Sequence, residues 1–259
     1  MDITCDGIVI RETSYGESDK ILTLLTGAYG KITVAAKGVR SIKSKNSSAV
    51  QLFCCSYFEL VEKNGRYTLK TATINDSFYA VRDNIECFAL ASYFSDVANT
   101  VCSENNDERE MLRLILNSFY AMAHLNNKPL WKIKAAFEIK CMAANGLAPD
   151  FSSCAECGKP SVDSTDRHGV YLFSPGDGSP ICPECLLKKP RNNIIPVTAC
   201  TIDAVKYILS APQSKMLGFT IPDNDNLKKE FCDFCEKYLC YQTSRRYETL
   251  AFYKSVAAM

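Results

Sequence analysis

The sequence predicts an α+β multidomain chain: a small N-terminal β-barrel, a central and C-terminal helical bundle, and an inserted module built on four cysteines. Three observations predict it. Residues 3–74 read as five short runs rich in Ile, Val, Thr, Tyr and Phe, the apolar period lengthens after Phe78, and two Cys-x-x-Cys pairs stand 24 residues apart between 154 and 185. At 259 residues the chain is long enough for about two domains. With 47% hydrophobic and 23% charged residues it has the composition of a folded globular protein, not of a disordered or collagen-like one.

The strand runs are DGIVIRET, KILTLLT, GKITVAAKG, LFCCSYFELVE and RYTLKTATI, punctuated by Gly16, Gly27 with Gly30, Gly38 and Asn64-Gly65. Asn-Gly between two apolar runs is a strong hairpin signal. Five strands in about 75 residues favour a barrel, because closure removes exposed edges. Helices are expected over 84–102, 107–125 and 130–145, where apolar residues recur at three and four spacing. In the third, Leu130, Ile133, Phe137 and Cys141 share a face, and Lys134 and Glu138 form an i,i+4 pair on another. Asn106 or Asp107 would cap the second of these helices, and Gly146 followed by Pro149 would close the third. Helical periodicity returns over 198–211 and 223–243. The expected domains are a barrel at 1–79, a helical domain at 80–150, a cysteine module at 151–190, and C-terminal helices at 191–259 that pack on the helical domain.

Fourteen cysteines are about 5% of the chain, below the share that marks a disulfide scaffold, so most should be reduced thiols. Eight of them (Cys5, Cys54, Cys55, Cys87, Cys102, Cys141, Cys200 and Cys240) are scattered, usually among apolar neighbours, as small buried hydrophobes are. The pairs Cys154/Cys157 and Cys182/Cys185 differ: each can sit on a tight turn, and two such turns complete a tetrahedral thiolate set for one structural Zn2+. Gly158 and the strand-like GVYLFSP between the pairs suit a zinc ribbon. Redox or disulfide chemistry is the competing reading. A sharper rival is a zinc nucleobase or nucleotide deaminase with Glu156 as proton carrier, which Cys154-Ala-Glu156 and Cys182-Pro-Glu-Cys185 match in part. Ile181 stands where that motif needs proline, and Cys157 would fill the water position. Cys232-Asp-Phe-Cys235 lies in a helical pattern and reads as core. His124 should end a helix, and His168 could substitute as a ligand.

Thirty basic against 29 acidic side chains exclude a globally basic nucleic-acid binder of the histone type, so any polyanion site must be local. The longest one-signed stretch is KITVAAKGVRSIKSKNSSAV, with Lys31, Lys37, Arg40, Lys43 and Lys45 and no acid. It reads as a mobile basic loop after a strand, able to track a nucleic-acid backbone, against the alternative of a solvated loop. Phe53, Tyr57, Phe58 and Tyr67 could offer stacking faces but suit a core better. Glu12, Glu17 and Asp19 could pair or hold a metal, although a polar turn fits equally. No phosphate loop, nucleophile elbow or HExxH occurs, so no catalyst is expected. Without a span of about 20 apolar residues or a secretory leader, a cytoplasmic protein is expected.

The N-terminal GIVIRETSYGESDKILTLLTGAYGKITVAAKGVRSIKSK, with its Tyr-Gly-Glu-x-Asp turn, Gly-Lys step and Lys-Gly-x-Arg segment, resembles the opening of the bacterial RecO family of recombination mediators. KAAFEIKCMAANGLAPDFSSCAECG is a second match, and YQTSRRYETLAFYKSV a looser third. The resemblance implies an OB fold, a helical bundle and a four-cysteine zinc element. It implies binding and annealing of single- and double-stranded DNA in recombinational repair, with no bond made or broken. It further implies interaction with RecR and with the C-terminal tail of single-stranded DNA-binding protein, help in loading RecA, and a cytoplasmic, nucleoid-associated location. The family's DNA contacts map here onto Lys37, Arg40, Lys43 and Lys45, with Lys31 and Arg11 as further candidates. Lys132, Lys134 and Lys140 are candidates, by position, for the cation beside a pocket that receives the acidic, apolar tail.

Overall fold

The computed structural model describes residues 1–125, 129–160 and 169–258. The chain divides into two units, Met1–Leu130 with Tyr247–Met259, and Trp131–Arg246. The helical segment expected over 80–150 is therefore shared between them.

In the first unit, five strands close a barrel: β1 (Asp2–Tyr15), β2 (Asp19–Thr26), β3 (Lys31–Ala36), β4 (Cys55–Lys63) and β5 (Arg66–Asp76), in the order β1-β2-β3-β5-β4. All pairings are antiparallel except β3 with β5, where Val34 meets Tyr67 and Ala35 meets Thr68. This is the five-stranded Greek-key barrel of an OB fold. Strand side chains alternate between faces, so every second residue fills the interior. Ile3 and Cys5 of β1, Leu22 and Leu24 of β2, Ile32 and Val34 of β3, and Phe58 and Leu60 of β4 form that core.

The helices are α1 (Tyr79–Asp83), α2 (Ile85–Val101), α3 (Arg109–His124), α4 (Leu130–Ala144), α5 (Pro183–Lys188), α6 (Ala199–Ser210), α7 (Asp225–Gln242) and α8 (Glu248–Ala257). Asn84 caps α2 by accepting the Cys87 N–H at 3.0 Å. The expected cap of α3 moves by one residue: Glu108 is the N-cap, its carboxylate accepts the Ser103 N–H at 3.1 Å, and Asp107 still accepts the Arg109 N–H. The α2–α3 connector carries the β2–β3 turn, with Lys31 N–H donating to Ser103 O and Asn105 N–H to Tyr29 O. Gly30 is the residue this approach requires, since its φ is +66° and a Cβ there would collide with Ser103 O. α8 returns to this unit, where Tyr247 meets Tyr93 edge-on and Thr249 donates to Asp96.

The second unit is built around α4. Every side chain from Ile133 to Met142 is buried, so the expected polar face does not reach solvent. A helix buried all round must pair its charges internally. Lys134 does so, 2.8 Å from Glu138 and 3.1 Å from Glu236 on α7. Phe151, Phe173, Phe234 and Tyr238 form an aromatic cluster, and Phe173 brings in a small sheet of β6 (Tyr171–Ser174), β7 (Ser179–Pro180) and β8 (Ile195–Val197), ordered β7-β6-β8. Among the described residues no helix is long and apolar enough to cross a membrane.

Candidate metal centre and nucleic-acid interface

Two turns make the four-cysteine cluster. The first runs Cys154–Lys159, where Gly158 at φ +69° lets its N–H reach Cys154 O, and Cys154 N–H donates to Lys159 O. The second is the start of α5: Cys182 is its N-cap, Pro183 supplies the fixed φ of a first helical residue, and Cys185 follows on the first turn. Ala155 N–H to Pro180 O ties the two together. The four Sγ atoms lie within 4.8 Å of one another, and Cys157 Sγ is 3.9 Å from Cys182 Sγ. A thiolate tetrahedron with zinc arms of about 2.3 Å has edges of about 3.8 Å, so the donor set fits such an ion.

Burial works against the Cys154 thiolate, but the backbone N–H groups of Cys157, Cys182 and Glu156 outweigh it and bring the Cys154 pKa down to about 6. Hydrogen bonding to Cys182, burial and the other two sulfurs push Cys185 up to about 12. His168, weighed as a substitute ligand, lies outside the described residues.

Glu156 is engaged in surface ion pairs and is not poised as a proton carrier. Its carboxylate is held by Arg191 at 2.8 Å and Lys189 at 3.4 Å, and Arg191 keeps its pKa below the ordinary range. Cys157 stands where a fourth donor would, so a metal held by all four cysteines would have no open position for catalytic water, and neither feature supports the deaminase reading. Cys232 and Cys235 lie on α7, Cys235 fully buried in the core and Cys232 partly buried. His124 ends α3 with its ring tilted against that of Tyr120. Glu12 is paired with Lys20, and Asp19 accepts the Gly38 N–H, so these acids build the β1–β2 turn.

The basic segment is a chain of turns fastened to the barrel, and this is where it departs from an unattached loop. Val39, Ala49 and Val50 point inward, Ser56 donates to Ala49 O, and Asn46 bridges Lys70 O and the Ala72 N–H. Arg40 closes the segment onto the β1–β2 turn through its N–H to Ser18 O and its guanidinium to Gly16 O. Lys37, Arg40, Lys43 and Lys45 are exposed together on this segment. Arg11 is exposed on β1, whereas Lys31 turns away and donates to Asn99 O at 2.6 Å, at the C-terminal turn of α2, where a cation is favoured. Of the four aromatics weighed as stacking faces, Phe53 and Phe58 are buried, Tyr67 packs on the barrel core and only Tyr57 is exposed.

The three lysines suggested beside a tail pocket are engaged within the second unit. Lys132 donates to Phe219 O and lies over its ring, Lys134 sits in the buried triad, and Lys140 donates to Leu209 O and Ala211 O. What periodicity could not reveal is a separate cavity of about 790 Å³ between α7 and the strand β8, lined by Ile194, Ile195, Pro196 and Tyr241. Its charged lining residues are Lys237, Arg245 and Arg246, with no carboxylate among them.

Comparison with known proteins finds two family models that together span nearly the whole chain: Recombination protein O N terminal over residues 1–78 and Recombination protein O C terminal over 82–251. Similar curated proteins are named DNA repair protein RecO. That of Acetivibrio thermocellus is 30% identical over 250 residues, 96% of this chain and 95% of that protein. That of Alkaliphilus metalliredigens is 32% identical over 210 residues, 81% and 82% of the two chains, and that of Listeria monocytogenes is 27% identical over 245 residues, 94% and 92%.

Proposed function

The chain belongs to the Recombination protein O (RecO) family, and from that membership we propose that it acts as a DNA-binding mediator of recombinational repair. It holds single- and double-stranded DNA by neutralising phosphates, brings complementary strands together, and makes or breaks no bond. The observation that carries the reading is the group of four exposed cations, Lys37, Arg40, Lys43 and Lys45, on one turn-built segment of an OB barrel whose chain is otherwise nearly neutral. Arg11, exposed on β1, is a further candidate contact. Each phosphate neutralised releases a counterion, so affinity should fall steeply with salt. Replacing the four residues by Ala is expected to lower affinity and to reduce the slope of log K against log salt by about 0.7 to 0.9 for each phosphate left without its cation. Fluorescence anisotropy with labelled single-stranded and duplex oligonucleotides across a salt series reads this directly, and an unchanged slope would remove the segment from the site.

The four-cysteine cluster holds one structural Zn2+, which the gathering of the four sulfurs within 4.8 Å of one another supports. The expected partners are RecR and the C-terminal tail of single-stranded DNA-binding protein, with RecA loading as the downstream step, in the cytoplasm at the nucleoid. An acidic tail ending in apolar residues needs an apolar cavity rimmed by cations, and the space lined by Ile194, Ile195, Pro196, Tyr241, Lys237, Arg245 and Arg246 has that character. Changing Lys237 and Arg246 together to Ala is expected to weaken binding of a fluorescent tail peptide about tenfold. Equal affinity in the variant would take the tail elsewhere.

A further inference from the structure

We propose that Ile42, supported by Tyr15, is the base-contacting tip of the DNA site: an apolar wedge that enters between neighbouring bases of a bound strand while the cations around it hold the phosphates. The proposal rests on the DNA-binding reading and deepens it from backbone neutralisation to contact with the bases.

Ile42 is fully exposed, at 104% of its reference area. A lone exposed aliphatic residue is ordinary and needs no explanation. Its placement is what matters here. The other aliphatic side chains of the segment, Val39, Ala49 and Val50, are all buried, so this stretch sorts its apolar groups inward and makes one exception. Ile42 and Lys43 form the centre of a β-turn in which Ser44 N–H donates to Ser41 O at 3.0 Å. The Ser41 hydroxyl accepts the Lys43 N–H, and Ser41 N–H donates to Gly38 O. The turn therefore presents the side chain from a hydrogen-bonded base.

Arg40 fastens this turn to the β1–β2 turn through Ser18 O and Gly16 O, and Gly38 N–H adds a bond to Asp19. Tyr15, 65% exposed, stands at the end of β1 immediately before Gly16. Two apolar groups, one aliphatic and one aromatic, thus stand on two connected turns at one end of the barrel. Glu17 is the exposed carboxylate of the β1–β2 turn, outnumbered by Lys37, Arg40, Lys43 and Lys45. A cation-rimmed apolar point suits a polyanion whose interior is a stack of apolar faces. Aliphatic wedges that part base steps and aromatic rings that stack on bases are both established ways of using such groups. A single strand, already free of pairing, meets the lower unstacking cost and should profit most.

Phosphate contacts and base contacts leave different signatures, because only the former release counterions. Ile42→Ser is expected to lower affinity for a single-stranded oligonucleotide about fivefold to tenfold at every salt concentration, leaving the salt slope unchanged. A strand carrying 2-aminopurine should brighten on binding the unaltered protein as its base is unstacked. It should brighten little with Ile42→Ser, and Ile42→Leu should restore the signal. Tyr15→Ser should give a smaller change of the same kind. If Ile42→Ser binds and brightens as the unaltered protein does while the four-Ala variant still loses its slope, the wedge is wrong and the DNA site stands. A reduced slope in Ile42→Ser would also overturn the wedge, since it would mean that phosphates had gone without their cations. An unchanged slope in the four-Ala variant would overturn wedge and site together.

Discussion

A strong chelator is expected to strip the zinc-loaded protein of one ion per chain and to melt the two cysteine turns at 154–159 and 182–185 while the barrel stays folded. Among the described residues the cluster around the cysteines is small: Cys154, Ile181, Cys182 and Cys185 are buried, with Leu172, Leu186 and Ile194 packed partly against them. Three of those four buried residues are the donors themselves. Without the ion, the hydrogen bonds of the two turns must hold alone. Structural zinc in small peptides supplies roughly 10 to 16 kcal/mol of apparent folding free energy, far more than so few contacts can replace. Hydrogen exchange should show the amides of Cys154, Ala155 and Ile181 becoming labile on chelation, with β1 to β5 unaffected. Cys182→Ser should reproduce the effect without a chelator. Slow exchange at those amides in metal-free protein would mean that the ion is dispensable for the fold.

Lys134→Met is expected to destabilise the second unit by about 3 to 5 kcal/mol, because it leaves the Glu138 carboxylate buried without its cation. Glu138 has no exposed surface, and Glu236 approaches the same amine from α7. Burial by itself would lower the Lys134 pKa, but the two carboxylates outweigh it and hold it above the ordinary lysine value. A raised pKa means that the folded state keeps the proton more tightly, so this contribution is complete below the unfolded lysine value. It is lost only as pH climbs through the raised one. In Lys134→Met the dependence should reverse at the acid end: the orphaned carboxylate is relieved by protonation, and stability relative to the unaltered protein should recover as pH falls below neutrality. Chemical denaturation at several pH values measures both effects. The double variant Lys134→Met with Glu138→Leu should regain most of the loss. A loss for Lys134→Met below about 1 kcal/mol would mean that water reaches the triad and the site is effectively a surface pair.

Local patterns were legible wherever neighbours in sequence decide the outcome. Alternating apolar runs and Asn-Gly and Gly turns announced five strands within a few residues of where they lie, because a barrel interior accepts every second side chain. The two Cys-x-x-Cys pairs announced the four-cysteine cluster for a similar reason: each pair folds on its own turn, and the spacing within it brings two sulfurs to one side. The exposed cations of the 37–45 segment could also be found, since a run without acids leaves its mark in the chain itself.

Three features depended on what packs against what, and no local pattern carries that. The i,i+4 pair Lys134/Glu138 looks like a solvated face, yet α6 and α7 both reach α4, and only the arrival of Glu236 from about a hundred residues away turns the pair into a buried triad. The engagement of Lys132 and Lys140 was equally invisible, since it depends on backbone carbonyls at Phe219, Leu209 and Ala211 reaching their amines. The cationic cavity joins Lys237 of α7, Arg245 and Arg246 to residues 193–196, segments that only the folded chain brings to one wall. By itself the sequence determined the barrel, five of the helices and the four-cysteine cluster, because strand alternation, helix period and turn spacing are local. The tertiary structure alone decided which charges are buried, which reach solvent and where a cavity opens, because desolvation depends on every element packed around a group.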